Sequence, residues 1–380
     1  MKIALVHDYL KEYGGAERVL EALHEIWPKA PIYTAFCVRN SAGGKAFKKA
    51  KVIESKFAPL IKYKNLYSPL RFLTPLIWKS FDLSNYDLVI SSSSWYITRG
   101  FKVGPKTKVI CYCHTPPRWL YGYSTSVEWQ RYWLVKVYGT IIAHFLRLYD
   151  YRTAQKVDEF IVNSENVANR VKKFYRRDSI VIYPPVESEK IIKAVKGLKP
   201  QDYYLIVSRV VGAKGIELAI KAAQKAKVNL KIVGESAGLR WFGNRIENLK
   251  GKGIEFLGRL SDEELYRYYG ECRAFLALAR DEDFGITPVE AMAAGRPVIA
   301  FRGGGYLESV IEGKTGVFID RLEVKEIASL LHCFQPKADH PLDDITKSKK
   351  IKKEDCQKQA KKFSKQRFKR EIKEFIQKVL

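Results

Sequence analysis

The sequence predicts an α/β protein built from two doubly wound parallel-sheet domains, and three observations predict it. Apolar, strand-like runs alternate with helical runs along most of the chain, which is the pattern of successive βα units. The alternation is interrupted by a polar, Lys-rich stretch between Pro185 and Pro200 and then begins again. The length, 380 residues, exceeds the roughly 250–300 residues that one core usually serves.

The first set opens with IALVHDY, read as a core strand; MKIALVHDYL is too short and too soon charged for a signal peptide. A glycine pair, Gly14-Gly15, leads into the helix GAERVLEALHEI. The further strands are PIYTAF, KVIESKF, DLVISSSS, KVICYCH, EFIVNS and IVIYPP. The second set is YLIVSR, NLKIVGE, IEFLG, AFLALA, RPVIAF and VFI, with one helix opened by a capping box from Ser261 to Glu264. The expected division is residues 1–190, residues 191–362 and a terminal helix at 363–380. The ending FKREIKEFIQKVL has apolar residues at helical spacing and is expected to pack back on the body. From about Lys337 the sequence leading to it is polar and Lys-rich.

Composition narrows the function. The net charge is +26, which points to an anionic partner: nucleic acid, anionic lipid or a phosphorylated substrate. A basic surface with no specific partner is the plain alternative. Cys111 and Cys113 lie two apart in an apolar strand, without metal-ligand spacing, and read as buried thiols of a reduced, cytosolic protein. No run of 18 apolar residues occurs, so no transmembrane helix is expected.

The residues that suggest chemistry lie at predicted strand ends. In EDFGITPVE, Glu282 and Glu290 stand eight positions apart around a Gly and a Thr-Pro helix start. A helix start offers free N–H groups and a positive dipole end, and carboxylates accept from hydroxyls. That combination suits a ligand carrying both phosphates and hydroxyls, a sugar nucleotide. Thr287 and Glu290 also read as a capping box with Pro288 at the first helical position. Arg209 ends the first strand of the second set and Lys214 follows five residues later; two cations so placed can neutralise one diphosphate. His114 ends the apolar strand KVICYCH, where it could hydrogen-bond a sugar or phosphate. Gly14 and Gly15 let a backbone approach a phosphate, although the spacing is not that of a dinucleotide loop. Gly303-Gly304-Gly305 with Glu308 offers a second close approach. Beyond the acids at Asp281, Glu282 and Asp283 nothing has ligand spacing, so no metal and no cofactor are expected.

In this order the elements resemble the family 4 retaining glycosyltransferases. The phrases YCHTPPRWLY, VNSENVANRVKKFY, VIYPPVE, EFLGRLSDEELYRYY and EDFGITPVEAMAAGRPVIA are similar to the GDP-mannose-dependent mannosyltransferase branch. The resemblance implies two facing Rossmann-like domains, the B-type glycosyltransferase fold. It implies a nucleoside-diphosphate sugar donor, GDP-mannose, and transfer with retention. It places Arg209 and Lys214 on the donor diphosphate and Glu290 on the ribose hydroxyls. It places Glu282 opposite the donor sugar beside the backbone of Phe284, Gly285 and Ile286. His114 then lies near a sugar hydroxyl and Gly15 near the phosphate. Ala279-Arg280-Asp281 depart from the branch pattern, in which a Pro and more acids are common.

Two stretches, Lys62 to Phe81 and Trp129 to Arg152, mix Trp, Tyr, Phe and Leu with Lys and Arg. That is the composition of an interfacial membrane segment, and equally of core-facing helices with solvated basic faces. With the resemblance, they imply a lipid-diphosphate-linked or glycan acceptor at an anionic membrane surface and a peripheral place at the inner face of the cell membrane. Three alternatives stay open: a transferase using a UDP-sugar, a sugar-nucleotide 2-epimerase, and a basic nucleic-acid-binding protein without catalysis. No helix-turn-helix, zinc-finger or RNA-recognition signature is visible, so a nucleic-acid partner is not expected.

Overall fold

A computed structural model describes residues 1–125, 132–235, 249, 251–333 and 351–380. Trp129 to Arg131 of the second aromatic stretch, and the Lys-rich segment from Lys337 to Lys350, lie outside these residues. The chain divides into two compact units, Met1–Ser124 with Glu128–Pro185 and Gln366–Leu380, and Thr125–Val127 with Val186–Lys365. The change of unit falls at Pro185/Val186 rather than 190/191. The reason is that the helix Ser188–Ala194 packs against the helix Ile286–Ala293 of the second unit.

Among the described residues the first unit holds seven strands: β1 (Ile3–His7), β2 (Ile32–Thr34), β3 (Val52–Glu54), β4 (Leu88–Ser93), β5 (Lys108–Cys113), β6 (Glu159–Val162) and β7 (Ile180–Val181). They are parallel, in the order β3-β2-β1-β4-β5-β6-β7. β1 is buried along its whole length, as a parallel strand covered on both faces must be. The two faces carry separate apolar clusters. One contains Val6, Trp78, Val89, Cys111 and Phe160, the other Leu5, Leu20, Ile90, Ile110 and Tyr112.

The terminal helix Lys365–Val379 belongs to this second face. Its residues Phe368, Ile372, Phe375 and Ile376 recur at helical spacing and are buried in the cluster. The Phe368 ring stands edge-on to Tyr112 at 5.9 Å. Gly14 caps the helix Gly15–Ile26, with Glu17 Oε2 accepting from the Gly14 N–H at 2.8 Å.

The helix Trp133–Ala154 is apolar on two sides. Ala143, Leu146 and Ala154 are buried, and Asp150, also buried, accepts hydrogen bonds from Arg99, from the Tyr121 hydroxyl at 2.7 Å and from the Tyr175 hydroxyl at 3.2 Å. Such a fully partnered buried carboxylate anchors the helix, since a lost partner would leave an uncompensated charge. On the other side Leu134, Val137, Ile141, Phe145 and Leu148 form an exposed stripe.

The second unit holds β8 (Tyr204–Val207), β9 (Leu230–Val233), β10 (Ile254–Gly258), β11 (Phe275–Ala277), β12 (Val298–Phe301) and β13 (Gly316–Ile319). These too are parallel, in the order β10-β9-β8-β11-β12-β13. In each sheet the strand order reverses beside its first strand, between β1 and β4 and between β8 and β11. The crevice outside the carboxyl ends at such a switch point is where open α/β sheets hold ligands.

Candidate functional site

At the first switch point, β1 ends in His7, β4 carries Ser92 near its end, and His114 directly follows β5. The His114 Nε2 lies 2.8 Å from Ser92 Oγ. The same hydroxyl lies 3.0 Å from His7 Nδ1, and His7 Nε2 lies 3.5 Å from Glu17 Oε1. The four side chains form one buried line. Burial, with His7 adding to it, pushes the His114 imidazole down to about 3, so it is neutral at ordinary pH. Its backbone is fixed as well: Asn163 donates to the His114 carbonyl at 2.8 Å, and Arg170 donates to the next side chain, Thr115, at 3.1 Å. The sequence reading found His114 and missed His7, Ser92 and Glu17. A histidine ending the first core strand and a run of four serines ending another were the available signals.

At the second switch point, Arg209 follows β8 and is exposed, and Lys214 ends a single 3₁₀ turn ahead of the helix Ile216–Ala226. Glu282 follows β11. The Lys214 ammonium donates to Glu282 Oε2 at 2.6 Å, and the Tyr306 hydroxyl donates to the same oxygen at 3.3 Å. The structure therefore brings Lys214 and Glu282 together and adds Tyr306, which the sequence reading passed over. Glu308 lies in the same short helix, Tyr306–Ser309. The Gly303–Gly305 turn supports the Glu282 loop directly. A Cβ on Gly304, whose φ is +57°, would sit 2.3 Å from the Glu282 carbonyl oxygen, and that carbonyl accepts from the Gly305 N–H at 3.0 Å.

The expected capping box is corrected. The helix runs Ile286–Ala293 with Gly285 as its N-cap at φ +86°, so Pro288 is its third residue and Thr287 caps nothing. Only a glycine enters that left-handed cap cheaply, and it starts the helix ahead of Thr287. Glu290 consequently faces inward: it is 1% exposed, and its Oε2 accepts from the Tyr269 hydroxyl at 2.8 Å. Phe284 and Gly285 are buried, while Ile286 is half-buried.

This second-unit arrangement presents a cation, a carboxylate oriented by two donors, and a helix start whose first N–H groups have no intrahelical partner. It can bind an anion and accept from hydroxyls. Gly14 and Gly15 lie in the other unit, at the loop after β1. Among the described residues no group of three or more His, Cys, Asp or Glu is arranged to hold a metal ion.

The family model described as Glycosyltransferase Family 4 matches residues 13–190. The model described as Glycosyl transferases group 1 matches residues 187–334. An uncharacterized glycosyltransferase of Methanocaldococcus jannaschii is 30% identical over 43% of this chain, a match that spans less than half, 46%, of that protein. The alpha-1,3/1,6-mannosyltransferase ALG2 of Candida glabrata is 27% identical over 82% of this chain and 78% of its own length. Among solved structures, Anabaena HepE in complex with UDP and glucose superposes with a TM-score of 0.67 at 18% identity, covering 99% of both chains. At that identity the likeness speaks for the fold: two Rossmann-like domains of the B-type glycosyltransferase fold.

Proposed function

The chain belongs to the family 4 glycosyltransferases, and from that premise we propose that it moves mannose from GDP-mannose, with retention, to a lipid-linked or polysaccharide acceptor at a membrane surface. The observation that carries the donor half is the Lys214–Glu282–Tyr306 cluster at the second switch point. A diphosphate arriving there competes with Glu282 for the Lys214 ammonium, and Arg209 adds a second charge to the leaving group. Glu282 then accepts from a donor-sugar hydroxyl. Phe284, Gly285 and Ile286 supply the backbone beside it, and Glu290 takes the ribose hydroxyls once Tyr269 shares it. In the first domain, Gly14 and Gly15 lie close to the phosphate and His114 meets a sugar hydroxyl. The protein's part in catalysis is positioning and charge stabilisation.

The ALG2 relatives, mannosyltransferases by name, support mannose as the transferred sugar. No metal, cofactor or nucleic acid belongs to this reading. The acceptor side and a peripheral place at the inner face of the cell membrane rest on the charge of +26 and the exposed apolar stripe of the helix Trp133–Ala154. The experiment is a calorimetric titration of the purified protein with GDP, UDP and ADP, with and without magnesium. Saturable GDP binding, weaker UDP binding and indifference to magnesium are expected. A preference for UDP keeps the transferase and replaces the donor, and no nucleotide binding at all overturns the reading.

A further inference from the structure

The line Glu17–His7–Ser92–His114 has a direction that its end group imposes. Glu17 stands in the first turn of its helix with Oε2 on the Gly14 N–H at 2.8 Å, where the helix dipole favours a carboxylate. A carboxylate only accepts, so the His7 Nε2 that faces it at 3.5 Å must carry the proton. In a neutral imidazole a proton on Nε2 leaves Nδ1 as the acceptor, and the Ser92 hydroxyl, 3.0 Å away, then donates to it. Ser92 Oγ is left to accept, and the His114 Nε2 at 2.8 Å donates. A neutral imidazole has one N–H, so the His114 Nδ1 keeps its lone pair.

We propose that Ser92, His7 and Glu17 are positioning residues that fix the tautomer of His114, holding its Nε2–H on Ser92 and offering its Nδ1 as an acceptor to a hydroxyl of the donor sugar. The last clause rests on the transferase reading above; the tautomer does not. Asp8, the other acid beside His7, is committed to the Ser94 and Tyr96 N–H groups, each at 3.3 Å, and to the Thr98 hydroxyl. It therefore leaves the direction of the line to Glu17.

The test is nitrogen-15 NMR of protein labelled at its six histidines, at pH 8, with a His114→Asn variant used only to assign the resonance. The wild type is expected to show His114 protonated at Nε2. Ser92→Ala, a small change at a buried strand position, removes the acceptor, and the single tautomer gives way to a mixture. Glu17→Gln, at the helix start, supplies an N–H toward His7, and the line reverses so that His114 is protonated at Nδ1. Unchanged melting temperatures show that both variants are folded. With GDP-mannose, Ser92→Ala is expected to lower kcat/KM about 10-fold. A wild-type His114 protonated at Nδ1, or the same tautomer in all three proteins, overturns the relay. The expected tautomers with undiminished Ser92→Ala turnover overturn its role in positioning. The expected tautomers in a protein that turns over no sugar nucleotide uphold the relay and overturn the transferase reading instead.

Discussion

Lys214 and Glu282 show how a single residue's role depends on its partner. Lys214 was legible in the sequence as a cation five residues beyond a strand end and Glu282 as a carboxylate ahead of a helix start, but their 2.6 Å contact was not, because they are 68 positions apart and belong to different βα units. Both are largely buried, with side chains 23% and 16% exposed, so the pair is screened less than a surface pair. Replacing Lys214 with alanine leaves the Tyr306 bond to Glu282 and removes the charge that would meet the donor phosphate. We expect Lys214→Ala to cut turnover of the sugar nucleotide by about 10²–10³ while the circular dichroism spectrum stays that of the wild type. Turnover within a few-fold of wild type would remove Lys214 from the diphosphate site. Glu290 marks the limit of reading residues by motif. Its place in the motif implies ribose hydroxyls, and the folded chain adds what the motif does not show, a buried carboxylate whose Oε2 already accepts from Tyr269.

Elements were the most legible scale. Among the described residues the thirteen strands coincide with the runs read as strands in the sequence; a central strand such as β1 is buried along its length, and a strand buried on both faces must be apolar throughout. Helix starts were less so. The capping box at Ser261 forms as read, but the one at Thr287 does not, because Gly285 begins that helix earlier. The terminal helix carries a prediction of its own. Phe368 is fully buried against Tyr112 in the first domain, far along the chain from most of that domain. Phe368→Ala is expected to destabilise the first domain by about 3–5 kcal/mol. Urea unfolding followed by tryptophan fluorescence reads this domain, because six of the seven tryptophans precede residue 134. An unshifted midpoint would mean that the helix is an appendage and not part of the core.

For the whole molecule, the unexplained feature is charge beside apolar surface. A net +26 coexists with the exposed stripe Leu134, Val137, Ile141, Phe145 and Leu148, and with Lys136 and Arg152 exposed on the same helix. Among the described residues no helix is long and apolar enough to cross a membrane, but a stripe with basic neighbours suits lying on an anionic one. We expect the protein to float with phosphatidylglycerol-containing vesicles at low salt, and the Ile141→Ser/Phe145→Ser double variant to lose most of that binding. If the wild type stays with the soluble fraction, the stripe needs another occupant. The sequence by itself determined the two parallel sheets, the strands that build them and the family, because alternation and burial along a strand are local properties of the chain. Tertiary structure alone decided that Ser92 joins His7 to His114, that Lys214 meets Glu282, and that the last helix completes the first domain. Those contacts join segments remote in sequence, and only the stacking of neighbouring strands brings their ends to one edge of a sheet.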